Sequence, residues 1–424
     1  MGITICVIGT FDTKGQEYQR LIHYIQEKGA AVITVDVGIE DQSSIQTDYW
    51  CGDMLKAAGM VYEEFRSSSR KEALETVSKY GIMLVNDLYK KKRIDGVICM
   101  GGSGGTAIGT AIMQTLPIGF PKVMVSTMAG SAKMSAYIDG TDIICINSIV
   151  DVAGINVVSD KIYALAAGSI VGAAAAMHAY SGHNDKSKPK PVILASMYGV
   201  TTQCLTVAKE YLEKNGYEVL VFHATGAGGK MLINMIDSGI AKGVLDVTLT
   251  EVGSYVVGAS ASSAGHRRLR AVVDSKIPTI VIPGALDIIS VLPEEFHQKF
   301  PGHQQYSHND RPSHIRTNIE DNAKIGDYIA RELRPGGKKI LVFLPMRGIS
   351  MLDSEGKTTC DKQAREALFS AIESGLAGSE VVVTRAQNHI NDEDFALLIA
   401  KTLHEKILLE HSKNCASCSD SNRN

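Results

Sequence analysis

The residues best suited to chemistry lie where apolar runs give way to small and polar ones. Gly101, Gly102, Ser103, Gly104, Gly105 and Thr106 follow Val97, Ile98, Cys99 and Met100 and open an alanine-bearing segment, the order of a strand, a glycine turn and a helix start. Glycines let successive N–H groups converge without Cβ obstruction, and a helix N-terminus adds partial positive charge, so such a turn suits an anion, most often phosphate. Thr10, Asp12, Thr13 and Lys14 follow a second apolar run, Asp36 ends a third, and Ser126, Thr127, Met128 and Gly130 follow a fourth. A glycine nest, a lysine, hydroxyls and carboxylates together make a nucleotide site, with Asp12 as the candidate Mg²⁺ ligand. No standard fingerprint is matched. G-x-x-x-x-G-K-[ST] is absent, residues 224–231 coming nearest but lacking the first Gly and the hydroxyl, and residues 101–106 are not G-x-G-x-x-G. Each residue alone also has a plain reading as a tight turn, a solvated lysine or a capping Asp.

A second polar set follows later apolar runs: His223, Glu251, Asp287, Arg347, Ser350, Asp353, His389 and Asn391. Converging, these would hold a small anionic substrate, with Arg347 as a carboxylate or phosphate clamp and Glu251 or His223 as acid or base. Asp287, Ser350, Asp353, His389 and Asn391 would line the substrate pocket; capping and turn-making is the structural alternative. His297, His303, His308 and His314 fit no metal-ligand spacing and sit in a stretch expected to be irregular, from Pro293 to about Asn318. That stretch reads as a long loop over the second cleft, with His308, Asn309 or Arg316 touching substrate.

These loops need sheets to position them. Hydrophobic runs alternate with helical patterns from residue 3 to about 182, and the alternation restarts at Val192, which predicts two open, mostly parallel, doubly wound (Rossmann-like) α/β domains. The polar, proline-bearing run at 183–191 places the boundary near Lys188: 1–187 for the nucleotide-binding domain, 188–411 for the second, and 412–424 for a polar, flexible tail. Residues 41–69 read as an excursion without sustained period, and the small-residue run 164–177 as a buried helix or a subunit contact.

A net charge of -3 argues against general attraction to nucleic acid or membrane surfaces. No signal-peptide pattern opens the chain, and Cys6, Cys99 and Cys145 sit in apolar runs, so a cytoplasmic protein with reduced cysteines is expected. Cys415 and Cys418 form a CxxC with no second pair, which does not make a zinc site.

GTFDTKG at residues 9–15, VDVG at 35–38, GGSGGT at 101–106 and STMAG at 126–130 resemble the N-terminal, ATP-binding domain of the tomato mosaic virus resistance protein and its bacterial relatives. PGALDI at 283–288, PMRGIS at 345–350 and HINDEDFA at 389–396 extend the resemblance over nearly the whole chain. It implies a two-domain α/β protein that binds ATP with Mg²⁺ in its first half and associates as a homodimer or higher homo-oligomer. Two functions follow as expectations: an ATP-dependent enzyme acting on a small polar or acidic metabolite, or a non-catalytic interaction protein whose dimer ATP stabilises. A third, dinucleotide binding with Asp36 on a ribose, lacks the usual fingerprint.

Overall fold

The computed structural model describes all residues except 1, 40–42, 44, 58, 63, 64, 66, 139, 183–189, 308–311 and 421–424, and omits the side chains of 132, 181, 182, 307, 312, 313 and 413–420. The chain divides into two compact units, Met1–Ser187 and Lys188–Asn424.

In the first unit the order is β1 (Thr4–Gly9), α1 (Phe11–Glu27), β2 (Ala31–Asp36), β3 (Tyr49–Trp50), α2 (Cys51–Ala57), α3 (Arg70–Lys90), β4 (Gly96–Gly101), α4 (Ser103–Met113), β5 (Lys122–Ser126), α5 (Ser135–Ile138), β6 (Ile144–Asn147) and α6 (Val157–Gly182). The strands form one parallel sheet in the order β3-β2-β1-β4-β5-β6. Ile5, Cys6, Val7 and Ile8 are all buried because helices cover both faces. Val77, Val85, Ile108 and Ile112 of α3 and α4 pack on one face, and Tyr18, Leu21, Tyr163 and Ile170 of α1 and α6 on the other. The order reverses between β1 and β4, so the loops after these two strands leave in opposite directions and open a crevice at their carboxyl ends.

Tyr18 locks the walls of that crevice together. Its hydroxyl donates to the Met100 carbonyl and accepts from the Met100 N–H at 3.0 Å, bolting α1 to β4. A Cβ on Gly9 would stand 2.2 Å from the Tyr18 ring, so glycine is required for this approach.

The second unit runs β7 (Val192–Met197), α7 (Thr202–Lys214), β8 (Glu218–His223), α8 (Ala227–Asp237), β9 (Ala241–Thr248), α9 (Thr250–Val257), α10 (Arg267–Ser275), β10 (Thr279–Gly284), β11 (Ile288–Ser290), α11 (Pro293–Lys299), β12 (Gln305–Ser307), β13 (Pro312–Arg316), α12 (Ile319–Leu333), β14 (Ile340–Pro345), α13 (Lys362–Leu376), β15 (Val382–Ala386) and α14 (Glu393–Asp420). Its parallel sheet has the order β15-β14-β10-β9-β7-β8, reversing between β7 and β9. Helices α7 and α14 cover one face through Leu205, Leu212, Phe395 and Ile399, and α8 to α10, α12 and α13 the other. Both units are thus parallel-sheet α/β domains, as the apolar runs predict.

Three expectations are corrected. Residues 293–318 are not one irregular loop: they carry α11 and two strands, of which β13 pairs with both β11 and β12 in an antiparallel sheet, order β11-β13-β12. These strands are too short to show a period, and Pro293 starts a helix rather than breaking one. Helix α14 continues to Asp420, so its backbone takes in Cys415 and Cys418. The excursion at 41–69 contains β3 and α2. Finally, α6 is longer than its small-residue run; Val157–Tyr180 is long and apolar enough to cross a membrane by length and composition alone. Only one face of it is buried, through Tyr163, Ala166, Ala167, Ile170 and Ala174, while Leu165, Gly172 and Tyr180 face outward.

Candidate functional site

The crevice between β1 and β4 holds a cleft of about 190 Å³ lined by Thr10, Asp12, Thr13, Lys14, Ile39, Arg70, Leu74, Gly102, Ser103, Gly104, Gly105 and Ile108. The structure thus brings the threonine, aspartate and lysine turn and the glycine turn onto one cavity. Helix α4 starts at Ser103 after an extended Gly102 with no side-chain cap, and its first intrahelical bond runs from Thr106 N–H to Gly102 C=O at 2.9 Å. The N–H groups of Ser103, Gly104 and Gly105 precede that bond and belong to the turn whose dipole is positive. Gly101 and Gly105 let strand and helix close on each other, a Cβ on Gly101 standing 3.1 Å from the Gly105 Cα. A Cβ on Gly104 would sit 3.6 Å from an Arg70 guanidinium nitrogen, which places that cation beside the helix start.

Arg70 escapes a reading of strand-end residues because it starts α3, a helix entered through the excursion. Ser69 caps that helix in a reciprocal box with Glu72, the Ser69 hydroxyl accepting from the Glu72 N–H and Glu72 accepting from the Ser69 N–H. The signal available in sequence is a basic residue in the first turn, where the helix dipole favours acids.

Lys14 is committed elsewhere on the cleft wall. It breaks the helical conformation of α1 (φ -133°, ψ 30°), and its ammonium donates to the carbonyl of Val152, in the loop between β6 and α6. The same loop is held by Glu17, which accepts from the Gly154 N–H at 2.5 Å. Asp12 packs its carboxylate against Gly38, where a Cβ would come within 2.4 Å, and accepts from the Thr13 N–H at 2.7 Å.

Asp36 does not line the cleft. It is fully buried, and its Oδ1 accepts from Phe11 N–H at 3.2 Å and Gly38 N–H at 2.9 Å, fixing the backbone after β1 and after β2. Its Oδ2 has no hydrogen-bond partner among the described residues, and burial pushes its carboxyl up to about 6 from an ordinary 3.8. Its contacts are those of a positioning residue, which braces two turns and does not line the cleft. Because its folded pKa is raised, the folded state holds the proton more tightly than the unfolded chain, and stability is lost as pH climbs through that interval. We expect Asp36→Asn to gain on the native protein by about 2–3 kcal/mol between roughly pH 4 and 7, from about 1.36 kcal/mol per pKa unit. Urea midpoints of both proteins across that range check it; parallel curves would refute the assignment.

Thr106 and Ser126 are also buried, their hydroxyls bonded to each other at 2.7 Å, and Met128 N–H donates to Ser126 Oγ at 3.0 Å. Thr127 N–H donates to the Gly101 carbonyl at 3.3 Å, and a Cβ on Gly130 would meet Asn147 at 3.1 Å. None of these five residues lines the cleft; they brace the glycine turn from behind.

In the second unit the expected residues separate into three groups. Glu251 reaches no cleft. Its carboxylate is 1% exposed, bonded to Arg268 Nε at 2.6 Å and to the Gly226 N–H at 3.0 Å, and burial pushes it upward against the pull of Arg268. Arg268 in turn forks onto Asp246 at 2.8 and 2.7 Å. The glycine-rich start of α8 is therefore filled by this internal carboxylate: a Cβ on Gly229 would fall 2.2 Å from Glu251 Oε1. Asp287, Ser350, Asp353, His389 and Asn391 do come together, but as an internal network. Ser350 Oγ donates to Asp287 at 2.6 Å, His389 Nε2 meets the Ser350 carbonyl at 2.9 Å, Asn391 N–H donates to His389 Nδ1 at 3.1 Å, and Asp353 pairs with Arg365 at 2.6 Å. Burial and the neighbouring Asp353 push the Asp287 carboxyl upward. Arg347 is exposed, apart from this network, and His223 is exposed at the end of β8. His308 and Asn309 lie outside the described residues. Arg316 is buried on the Thr359 and Thr317 carbonyls at 2.7 Å each, His303 pairs with Asp321, and among the described residues no three His, Cys, Asp or Glu side chains are placed to hold a metal.

Two matches cover the chain: "Uncharacterised protein family (UPF0261) N-terminal domain" over residues 3–179 and the C-terminal domain of the same family over 190–407. A UPF0261 protein of Clostridium tetani is 39% identical over 95% of this chain and 98% of its own length. The ToMV resistance protein Tm-1(GCR237) of Solanum lycopersicum is 36% identical over 92% of this chain, which spans 54% of that protein. Among solved structures, the S. aureus MnaA-UDP co-structure aligns over 91% of this chain and 100% of its own at 10% identity and a TM-score of 0.24, too low to carry an argument. Matched in both units, and over nearly its full length by a close relative, the chain belongs to the UPF0261 family.

Proposed function

We propose that the first unit binds a nucleotide through its phosphates, with Mg-ATP as the ligand. The observation that carries this is the cleft at the β1/β4 switch point, where the α4 N-terminus, Lys14 and Arg70 meet. At about 190 Å³ it suits phosphate groups rather than a whole nucleotide, with Ile39, Leu74 and Ile108 as its apolar side. Mg²⁺ bound with phosphates commonly takes one or two carboxylates, and Asp12 supplies one. On this reading the chain is an ATP-dependent enzyme for a small polar or acidic metabolite held by the second unit. Calorimetry with Mg-ATP, metal-free ATP and NAD tests the ligand: saturable heat for Mg-ATP is expected, and its absence at millimolar nucleotide sinks the reading.

Binding must draw Lys14 from the Val152 carbonyl. Loss of that bond, about 1 kcal/mol, should speed amide exchange at residues 152–156 roughly fivefold. Hydrogen exchange should show the gain on adding Mg-ATP to the native protein and, without nucleotide, in Lys14→Met; unchanged exchange in Lys14→Met would show that Lys14 does not hold the loop.

A second reading, a non-catalytic interaction protein whose homodimer ATP stabilises, is favoured by the outward face of α6, where Val157 is 80% and Leu165 57% exposed. Sedimentation with and without Mg-ATP, alongside a turnover assay, separates the two: nucleotide-dependent association without turnover selects the second.

A further inference from the structure

The second unit has its own switch point, between β7 and β9, and the residue that leaves β7 there is Tyr198. Its phenol oxygen lies 2.9 Å from His314 Nε2 and 3.4 Å from Ser290 Oγ. The ring of His223, at the neighbouring strand end, is tilted against it at a centroid distance of 5.3 Å.

The small antiparallel sheet explains how His314 and Ser290 reach this place. Ser290 pairs with His314 and His314 with Tyr306, so the three share one face by register. The alternate positions, Ile289 and Ile315, pair with each other and are fully buried in the core. One face of the insertion therefore supplies stability. The other, besides buried Ile288, carries the hydroxyl of Ser290 and the imidazole of His314 to a phenol. Arg316, opposite buried Ile288 on the same face, is itself buried: its Nε and Nη1 donate to the Thr359 and Thr317 carbonyls and its Nη2 lies 3.5 Å from Asp353, so it anchors the strand. Beside Tyr198, Gly199 is exposed with no atom within 4 Å of where a Cβ would stand, which leaves the backbone ahead of α7 open to close approach.

We propose that Tyr198, His223, Ser290 and His314 form a second binding site, for a small oxyanion-bearing metabolite, in which the Tyr198 hydroxyl donates to a ligand oxygen. Imidazole and hydroxyl donors around a strand end, with an open glycine turn, recognise phosphate or carboxylate oxygens by hydrogen bonds. The site is independent of the nucleotide reading, since it uses no residue of the first unit.

The test uses the full chain labelled with ¹⁵N-histidine, the imidazole resonances being assigned with His223→Gln and His314→Gln. One arm titrates inorganic phosphate and the other malate. In at least one arm His223 and His314 should shift together along a single saturation curve. A response to phosphate alone assigns a phosphorylated ligand, and to malate alone a carboxylate. Tyr198→Phe, which keeps the ring and its packing, should weaken binding about tenfold with an unchanged melting temperature. Silence of both resonances in both arms, separate curves for the two histidines, or native affinity in Tyr198→Phe would each overturn the proposal.

Discussion

Arg268→Met is expected to unfold the second unit or cost it about 3–5 kcal/mol, the range for removing one partner of a buried charge pair. Arg268 is 1% exposed, and Asp246 and Glu251, which it joins, are 0% and 1% exposed. Methionine fills much of the space but leaves two buried carboxylates without their cation. Ser196 Oγ, which donates to Asp246 at 2.6 Å, and the Gly226 N–H would remain as neutral donors. The expected loss thus belongs to uncompensated charge rather than to a cavity, and this is separable. Adding Asp246→Asn and Glu251→Gln to Arg268→Met should recover more than half of it, a coupling that independent sites would not show. Hydrogen exchange of β9 reads the transition in the second unit, while fluorescence of Trp50, the single tryptophan, follows the first unit as a control. A triple variant no more stable than Arg268→Met would show that the guanidinium matters for packing alone.

The contrast between Glu251 and the glycine turn shows what could be read from residue order. Central parallel strands are buried on both faces, so Ile5, Cys6, Val7 and Ile8, or Val97, Ile98, Cys99 and Met100, stand out as apolar runs, and the loops behind them are where a sheet places ligands. Lys14 and Gly102 to Gly105 were legible for that reason. Arg70 was not, because what brings it to the cleft is the packing of α3 against α4, a contact between segments with no local pattern in common. Glu251 looked like a strand-end acid, but its partner Arg268 lies a helix away, and only tertiary structure pairs them. Asp36 is a subtler case. Its place at the end of β2 is legible in the apolar run, whereas its two backbone N–H partners and full burial, which make it a brace for the turn carrying Asp12 and Lys14, are set by tertiary structure. The insertion at 285–318 was hidden because strands of three to five residues show too few alternations to count.

Gly104→Asp should abolish nucleotide binding while leaving the first unit at least as stable as before, and the split between those outcomes is what makes it decisive. Gly104 is the second residue of α4, where an acid interacts favourably with the helix dipole by about 0.3–1 kcal/mol, and aspartate in place of glycine adds about 0.3 kcal/mol of helix propensity. A Cβ there meets only ordinary contacts, Arg70 at 3.6 Å and Leu74 at 3.9 Å, so no clash opposes the substitution. The new carboxylate would stand over the α4 N–H groups and beside the Arg70 guanidinium, taking the place proposed for phosphate. Like charges about 4 Å apart at an effective dielectric near 20 repel by about 4 kcal/mol, so a loss of at least 100-fold in Mg-ATP affinity is expected. Gly104→Ala supplies the comparison: a helical gain of roughly 1 kcal/mol, no charge, and affinity within a few-fold of native. Calorimetric affinities and melting temperatures for both variants check this. Should Gly104→Asp bind nucleotide like the native protein, the α4 N-terminus is not the phosphate site; should Gly104→Ala lose binding equally, space rather than charge governs the turn, and the electrostatic account of the cleft falls with it.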